Sequence, residues 1–259
     1  MTSIRQDLKE PFADLLLSVA DDKFILGHRN SDWTGLAPML EEDIAFSSLA
    51  QDEIAHAKAL YELIGGLLGR SADELAFGRA LEGYRCATIV ELPDEFDWAT
   101  AICRQLLCNR FDALRLARLA RSTHKPLADL ASRLAAEQRI HVEHADSWIV
   151  RLGAGTEDSR RRMQRALDAL APEAPMLFEP VDGQERLESA GLYPLAATDM
   201  FQEWSESIAA VTGKAGLRLT IQPPAAQTNG GRHGRHSKHL AELLDEMCEV
   251  YRLEPNAAW

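Results

Sequence analysis

Along this chain apolar residues recur at steps of three and four over long stretches, and Gly and Pro gather between those stretches rather than inside them. That period stacks side chains on one face of a helix. It predicts helices over 11–29, over 38–68, from a cap at Asp94 to about 122, and from Pro126 to about 153. Ser31-Asp32-Trp33-Thr34-Gly35, Gly69 and His124-Lys125-Pro126 supply the breaks. The longest break, 69–93, suits a crossover. Shorter helices are expected over 159–170, 196–211 and 237–251. The stretch 172–194 reads as a loop rich in Pro and acidic residues, and 222–235 as irregular. No two alternating runs are joined by Asn-Gly or Asp-Gly, so nothing reads as a hairpin of strands. The expectation is an all-α chain. It forms one domain over 1–259, a long four-helix bundle over about 11–153 with a C-terminal helical extension over about 156–259.

Polar residues interrupt the apolar stripes at telling places. In the second helix Ala45, Leu49, Glu53, His56, Leu60, Leu63 and Leu67 share a face. Glu53 and His56 form Glu-x-x-His, the i, i+3 pair by which di-iron carboxylate bundles present an oxygen and a nitrogen to one point. In the fourth helix Ala128, Ala131, Leu134, Gln138, His141, Ala145 and Trp148 follow the same steps. Superposing His56 on His141 pairs Glu53 with Gln138 and Asp52 with Glu137. A neutral amide thus stands where a second bridging carboxylate is expected, and amides are poor iron ligands. Glu137, four residues before His141, can reach the same face. Asp22, between Val19 and Leu26, and Asp112, on a line with Ile102, Gln105, Asn109 and Leu116, supply one carboxylate from each remaining helix. The candidate metal ligands are therefore Asp22, Glu53, His56, Asp112, Glu137 and His141. The plainer reading of the same residues is a hydrogen-bonded polar core that keeps the helices in register.

Charge narrows the partners. Lys and Arg number 28 against 40 Asp and Glu, a net charge of −12, which disfavours a nucleic-acid backbone. Arg160-Arg161-Arg162 reads as a solvated helix face. No apolar run approaches the ~20 residues that span a bilayer, and Met1–Glu10 lacks the apolar core of a secretory signal. These features place the chain in the cytoplasm, off the membrane. Cys86, Cys103, Cys108 and Cys248 form no Cys-x-x-Cys unit, which favours free buried thiols over a thiol-based zinc site.

Several motifs carry a family resemblance. They are Gly230-Gly231-Arg232-His233-Gly234-Arg235-His236-Ser237-Lys238-His239-Leu240, then Leu244-Asp245-Glu246-Met247, then Pro255 and Trp259. Upstream stand Arg29-Asn30-Ser31-Asp32-Trp33, Glu42-Asp43-Ile44-Ala45 and Trp148-Ile149-Val150-Arg151-Leu152-Gly153. In this order they resemble the C-subunit family of bacterial phenylacetyl-CoA epoxidases, with Ser237 for the usual Thr and Lys238 for the usual Glu. The resemblance implies a ferritin-like fold and a structural role beside a related catalytic subunit that carries the di-iron centre. A separate reductase component would feed that complex, whose substrate in phenylacetate catabolism is phenylacetyl-CoA and whose monooxygenase reaction is ring epoxidation. Glu53 and His56, absent from many members, keep open a second reading, a catalytic di-iron oxygenase or oxidase; a ferritin-like iron store is a third. The histidines of the 230–240 element suit either a metal or anion site, with His236 and His239 on one helical face, or a loop docked on the bundle.

Overall fold

The computed structural model describes residues 4–196, 198–223 and 230–255, and no strand occurs among them. In chain order the helices are α1 (Lys9–Ser31), α2 (Leu40–Leu68), α3 (Ala72–Phe77), α4 (Thr88–Glu91), α5 (Trp98–Leu119), α6 (Lys125–Gly153), α7 (Glu157–Leu170), α8 (Gln184–Ser189), α9 (Met200–Lys214), α10 (Lys238–Met247) and α11 (Glu249–Leu253). Two long antiparallel hairpins, α1–α2 and α5–α6, make the ferritin-like bundle, while α2 and α6 touch far less. Gly27 allows the first pairing. A Cβ there would lie 2.8 Å from Ile54 Cγ1 and 3.2 Å from the Ala50 carbonyl oxygen.

The long helices start and stop close to where periodicity puts them, and the departures have local causes. The third bundle helix is capped by Asp97, whose carboxylate accepts the Ala99 N–H, and not by Asp94. Asp94 is committed elsewhere, accepting from Trp33 Nε1 at 2.9 Å and Arg104 Nη2 at 2.8 Å. Helix α9 begins at Met200 because Asp199 accepts the N–H groups of Phe201 and Gln202. The crossover holds two short helices, α3 and α4, and the stretch 172–194 holds α8 and a 3₁₀ turn at Ala174–Phe178. The last helix breaks at Cys248 into α10 and α11. Within the expected irregular stretch, residues 224–229 lie outside the described residues, as do Ala197 and Trp259.

Helix α1 is enclosed on nearly all sides, because the crossover and the 230–237 segment cover the face that the bundle leaves open. At one end of the bundle Trp33, Phe46 and Trp98 pack together, with Trp98 edge-on to Trp148 at 5.5 Å between centroids. Three of the motif segments meet here, since Trp33 and Trp148 belong to two of them and Glu42, from the third, joins His144 at 2.8 Å.

Candidate functional site

Three successive charged residues of α1, Asp21, Asp22 and Lys23, are all buried. Consecutive helix positions differ by about 100°, so the three side chains enter three different environments. Asp21 accepts from Tyr61 Oη at 2.6 Å, from Arg79 and from the Arg85 N–H. Asp22 accepts from Arg115 Nη1 at 2.8 Å, Arg232 Nη2 at 2.7 Å and the Ala87 N–H at 2.8 Å. Lys23 points into the bundle axis.

There its ammonium lies 2.8 Å from Glu53 Oε2 and 3.1 Å from Asp112 Oδ2, and donates to Gln138 Oε1 at 2.9 Å. Burial alone disfavours the ammonium, but Asp112 and Glu53 outweigh it and raise the Lys23 pKa above its ordinary value. Burial likewise opposes an ionised Glu53; Lys23 first, then His141, hold its carboxyl far below the usual range. From Gln138 an amide chain runs outward. Gln138 Nε2 donates to Asn109 Oδ1 at 3.1 Å, Asn109 Nδ2 to Gln105 Oε1 at 2.8 Å, and Gln105 Nε2 to Asn30 Oδ1.

The two histidines stand side by side, centroids 6.1 Å apart. His141 donates from both nitrogens, to Glu53 Oε1 at 3.1 Å and Asp52 Oδ2 at 3.2 Å. Burial works against its charge, but the hydrogen bond and charge of Glu53 prevail and raise its pKa. His56 behaves oppositely. Burial and the nearby Lys23 charge lower its pKa, and its Nε2 donates to Glu137 Oε2 at 2.5 Å. Its Nδ1 is buried without a partner.

The structure thus gathers Glu53, His56, Asp112, Glu137 and His141 around the α2–α6 seam and the bundle axis. Asp22 borders them without touching Lys23 or Glu53, because it is taken by Arg232 and by Arg115, whose guanidinium also pairs with Asp112. Residues that periodicity did not single out complete the group: Lys23, Arg115 and Arg232. Lys23 lies four residues after Val19 and three before Leu26, so its claim to the inner face by spacing equals that of Asp22. The available signal was a lysine directly after two aspartates within the otherwise largely apolar stretch Leu15–Leu26.

A di-iron centre of this fold needs about four carboxylates and two histidines converging on one cavity. The residues present do not fit it. An ammonium fills the space between Glu53 and Asp112, and Gln138 brings no charge. The anions Glu53, Asp112, Asp22 and Asp52 are matched by Lys23, Arg115, Arg232 and His141, which leaves the half-exposed Glu137, beside His56, as the one carboxylate of the group without a cation. Two added iron ions would bring far more positive charge than that single carboxylate can neutralise. His56 Nδ1 is the one buried ring nitrogen in the group left free for a metal.

The 230–240 element docks on the bundle. Glu179 accepts the N–H groups of Gly230 and Arg232 and pairs with His233 Nδ1 at 3.0 Å. His236 is buried and precedes α10, whereas His239 is half-buried beside Glu242, so the two histidines do not share a helical face. A Cβ on Gly231 would lie 1.8 Å from the Cys86 carbonyl oxygen, so only glycine permits this approach. All four cysteines are unpaired and buried. Among the described residues no helix is long and apolar enough to cross a membrane.

Fold and centre together define a ferritin-like helical bundle whose polar heart is closed by ion pairs. The chain belongs to the phenylacetic acid catabolic protein family, which it matches over residues 2–259. It is similar to the C-subunit of the 1,2-phenylacetyl-CoA epoxidase of Escherichia coli (strain K12). The two are 28% identical over 244 residues, covering 94% of this chain and 97% of that protein.

Proposed function

We propose that this chain is the partner-stabilising subunit of a multicomponent oxygenase of the phenylacetyl-CoA epoxidase type, acting in the cytoplasm in phenylacetate catabolism. A related subunit of the same complex would carry the di-iron centre and a reductase component would supply electrons. The similarity to an epoxidase C-subunit supports the complex. The observation that carries the supporting role is Lys23, whose ammonium takes the place of a cation between Glu53 and Asp112. A bundle built this way keeps the shape of its catalytic relatives while its charges satisfy one another. It offers a rigid helical surface without redox chemistry of its own.

The alternative, a di-iron oxygenase in its own right, rests on the unpaired His56 Nδ1. Iron content after anaerobic Fe(II) loading of the purified chain separates the two. Less than about 0.1 iron per chain supports the proposal; roughly two per chain, lost in His56→Gln, overturns it. Turnover gives a second check. In the assembled complex His56→Gln leaves the rate within about twofold on this reading, and a loss of orders of magnitude with assembly intact defeats it. Glu53→Ala would be a poor probe, because it strands the buried Lys23 ammonium.

A further inference from the structure

The docking of the C-terminal segment creates a second enclosed cluster. It shares no hydrogen bond with Lys23, Glu53 or Asp112. Cys86 precedes α4, Glu91 ends it, and His236 arrives from the segment before α10. All three side chains are fully buried. His236 Nδ1 lies 2.7 Å from Glu91 Oε1, and Cys86 Sγ lies 3.8 Å from each.

The surrounding contacts orient the imidazole and the carboxylate toward each other. His236 Nε2 is 3.0 Å from the Tyr84 carbonyl, which can only accept, so Nε2 carries a proton. Its Nδ1 faces Glu91, and a ring protonated at Nε2 alone would turn a lone pair toward the carboxylate. Glu91 uses its other oxygen to accept the Ser237 N–H at 2.7 Å. A nitrogen lone pair and a carboxylate oxygen 2.7 Å apart repel unless something positive sits between them. A proton can do that, but it has no use for a third donor. Cys86 stands equally far from both partners, and thiol, imidazole and carboxylate are together a zinc-type donor set.

We propose that Cys86, Glu91 and His236 bind one divalent ion of the zinc class, which fastens the C-terminal segment to the bundle. Donors around tetrahedral zinc lie roughly 3.3–3.6 Å apart, from the usual bond lengths. His236 and Glu91 would part by roughly 0.6 Å and the thiol would close by roughly 0.2 Å to meet that spacing. Binding displaces the thiol proton and the proton between His236 and Glu91, so two protons leave for each ion bound. A dication with one thiolate and one carboxylate is neutral, as an enclosed site requires. Three protein donors leave a fourth position for water. Neither a Cys-x-x-Cys unit nor any local spacing announces the site, because its third donor is separated from the other two by most of the chain.

The test uses the full chain, stripped with a chelator and titrated with Co(II) as the probe for zinc. The expected result is one equivalent bound with a thiolate-to-cobalt charge-transfer absorption, displaced by Zn(II), with about two protons released per ion. Cys86→Ser and His236→Gln lose the absorption, while His56→Gln, in the bundle centre, retains it. Stripped wild-type chain that shows no thiolate charge transfer at saturating Co(II) overturns the proposal and leaves a proton as the bridge. An absorption that survives in Cys86→Ser overturns it equally. The wild-type titration decides even if a variant fails to fold.

Discussion

The ammonium of Lys23 and the carboxylate of Glu53 meet at 2.8 Å with both side chains wholly enclosed, joining the two helices of the first hairpin at the bundle axis. Asp112 approaches the same ammonium from α5 and Gln138 accepts from it on α6, so one cation ties together all four long helices.

Removing that cation leaves Glu53 and Asp112 close together without it. Lys23→Met is expected to cost about 3–5 kcal/mol, the usual range for stranding a buried charge. Adding Glu53→Gln should recover much of the loss, because Asp112 still pairs with Arg115. Denaturant midpoints of the single and double variants check this. Equal losses in both would mean that Lys23 contributes packing rather than charge.

If the ammonium is what keeps iron out, exchanging it for space and charge should admit metal. The variant Lys23→Ala with Gln138→Glu would present Glu53, His56, Asp112, His141 and a new carboxylate to the vacated axis. It is expected to retain Fe(II) that the wild-type chain does not, read as iron per chain after anaerobic loading and desalting. Failure to gain iron in a folded variant would place the obstacle in the helix spacing and not in the charge of Lys23.

The sequence was legible where a helix has one buried face. The long helices follow from the period of their apolar residues, and Glu53, His56, Gln138 and His141 stand together because that period marks the inner faces of α2 and α6, with Glu137 reaching in from the rim. On α1 the same rule failed to choose. A helix enclosed on nearly all sides has no polar face to set a phase, so Asp22 and Lys23 fit the spacing equally well. Asp22 is drawn from Lys23 and Glu53 because Arg232, far along the chain, reaches back to it. Such a contact leaves no local periodic trace. The shift of the third helix cap from Asp94 to Asp97 has the same origin, since Trp33 and Arg104 take Asp94 from other elements.

His28, near the end of α1, provides a pH signature apart from the bundle centre. Burial, reinforced by Arg29, lowers its pKa from 6.5 to about 4. The unfolded chain takes up a proton below 6.5 that the folded chain refuses until about 4, so stability present above 6.5 is lost as pH falls through that window. The full shift corresponds to about 3 kcal/mol, an upper figure for a partly accessible ring. His28→Gln should flatten the slope of unfolding free energy against pH between these limits, measured by urea titration at several pH values. An unchanged slope would assign the acid sensitivity to other groups.

Asp22 is the anchor through which the C-terminal segment and the bundle depend on each other. Its two oxygens receive Arg115 from α5, Arg232 from the segment before α10, and the Ala87 N–H from the crossover. Arg115 has a second anion in Asp112, but Arg232 has Asp22 alone as an ionic partner among the described residues and otherwise donates to carbonyl oxygens of Ser18, Arg85 and Leu177. Asp22→Asn keeps the shape and removes the charge, and its amide can accept on one atom only. The loss should therefore fall mainly on Arg232, costing about 3–5 kcal/mol and loosening the element that carries Gly231 and His236. Native-state hydrogen exchange should speed in 230–247 more than in α2 or α6. Arg232→Met, which removes the stranded cation as well, should loosen the same segment at lower cost to the bundle. If exchange instead rises evenly through all four long helices, Asp22 holds the bundle itself and the C-terminal segment merely follows.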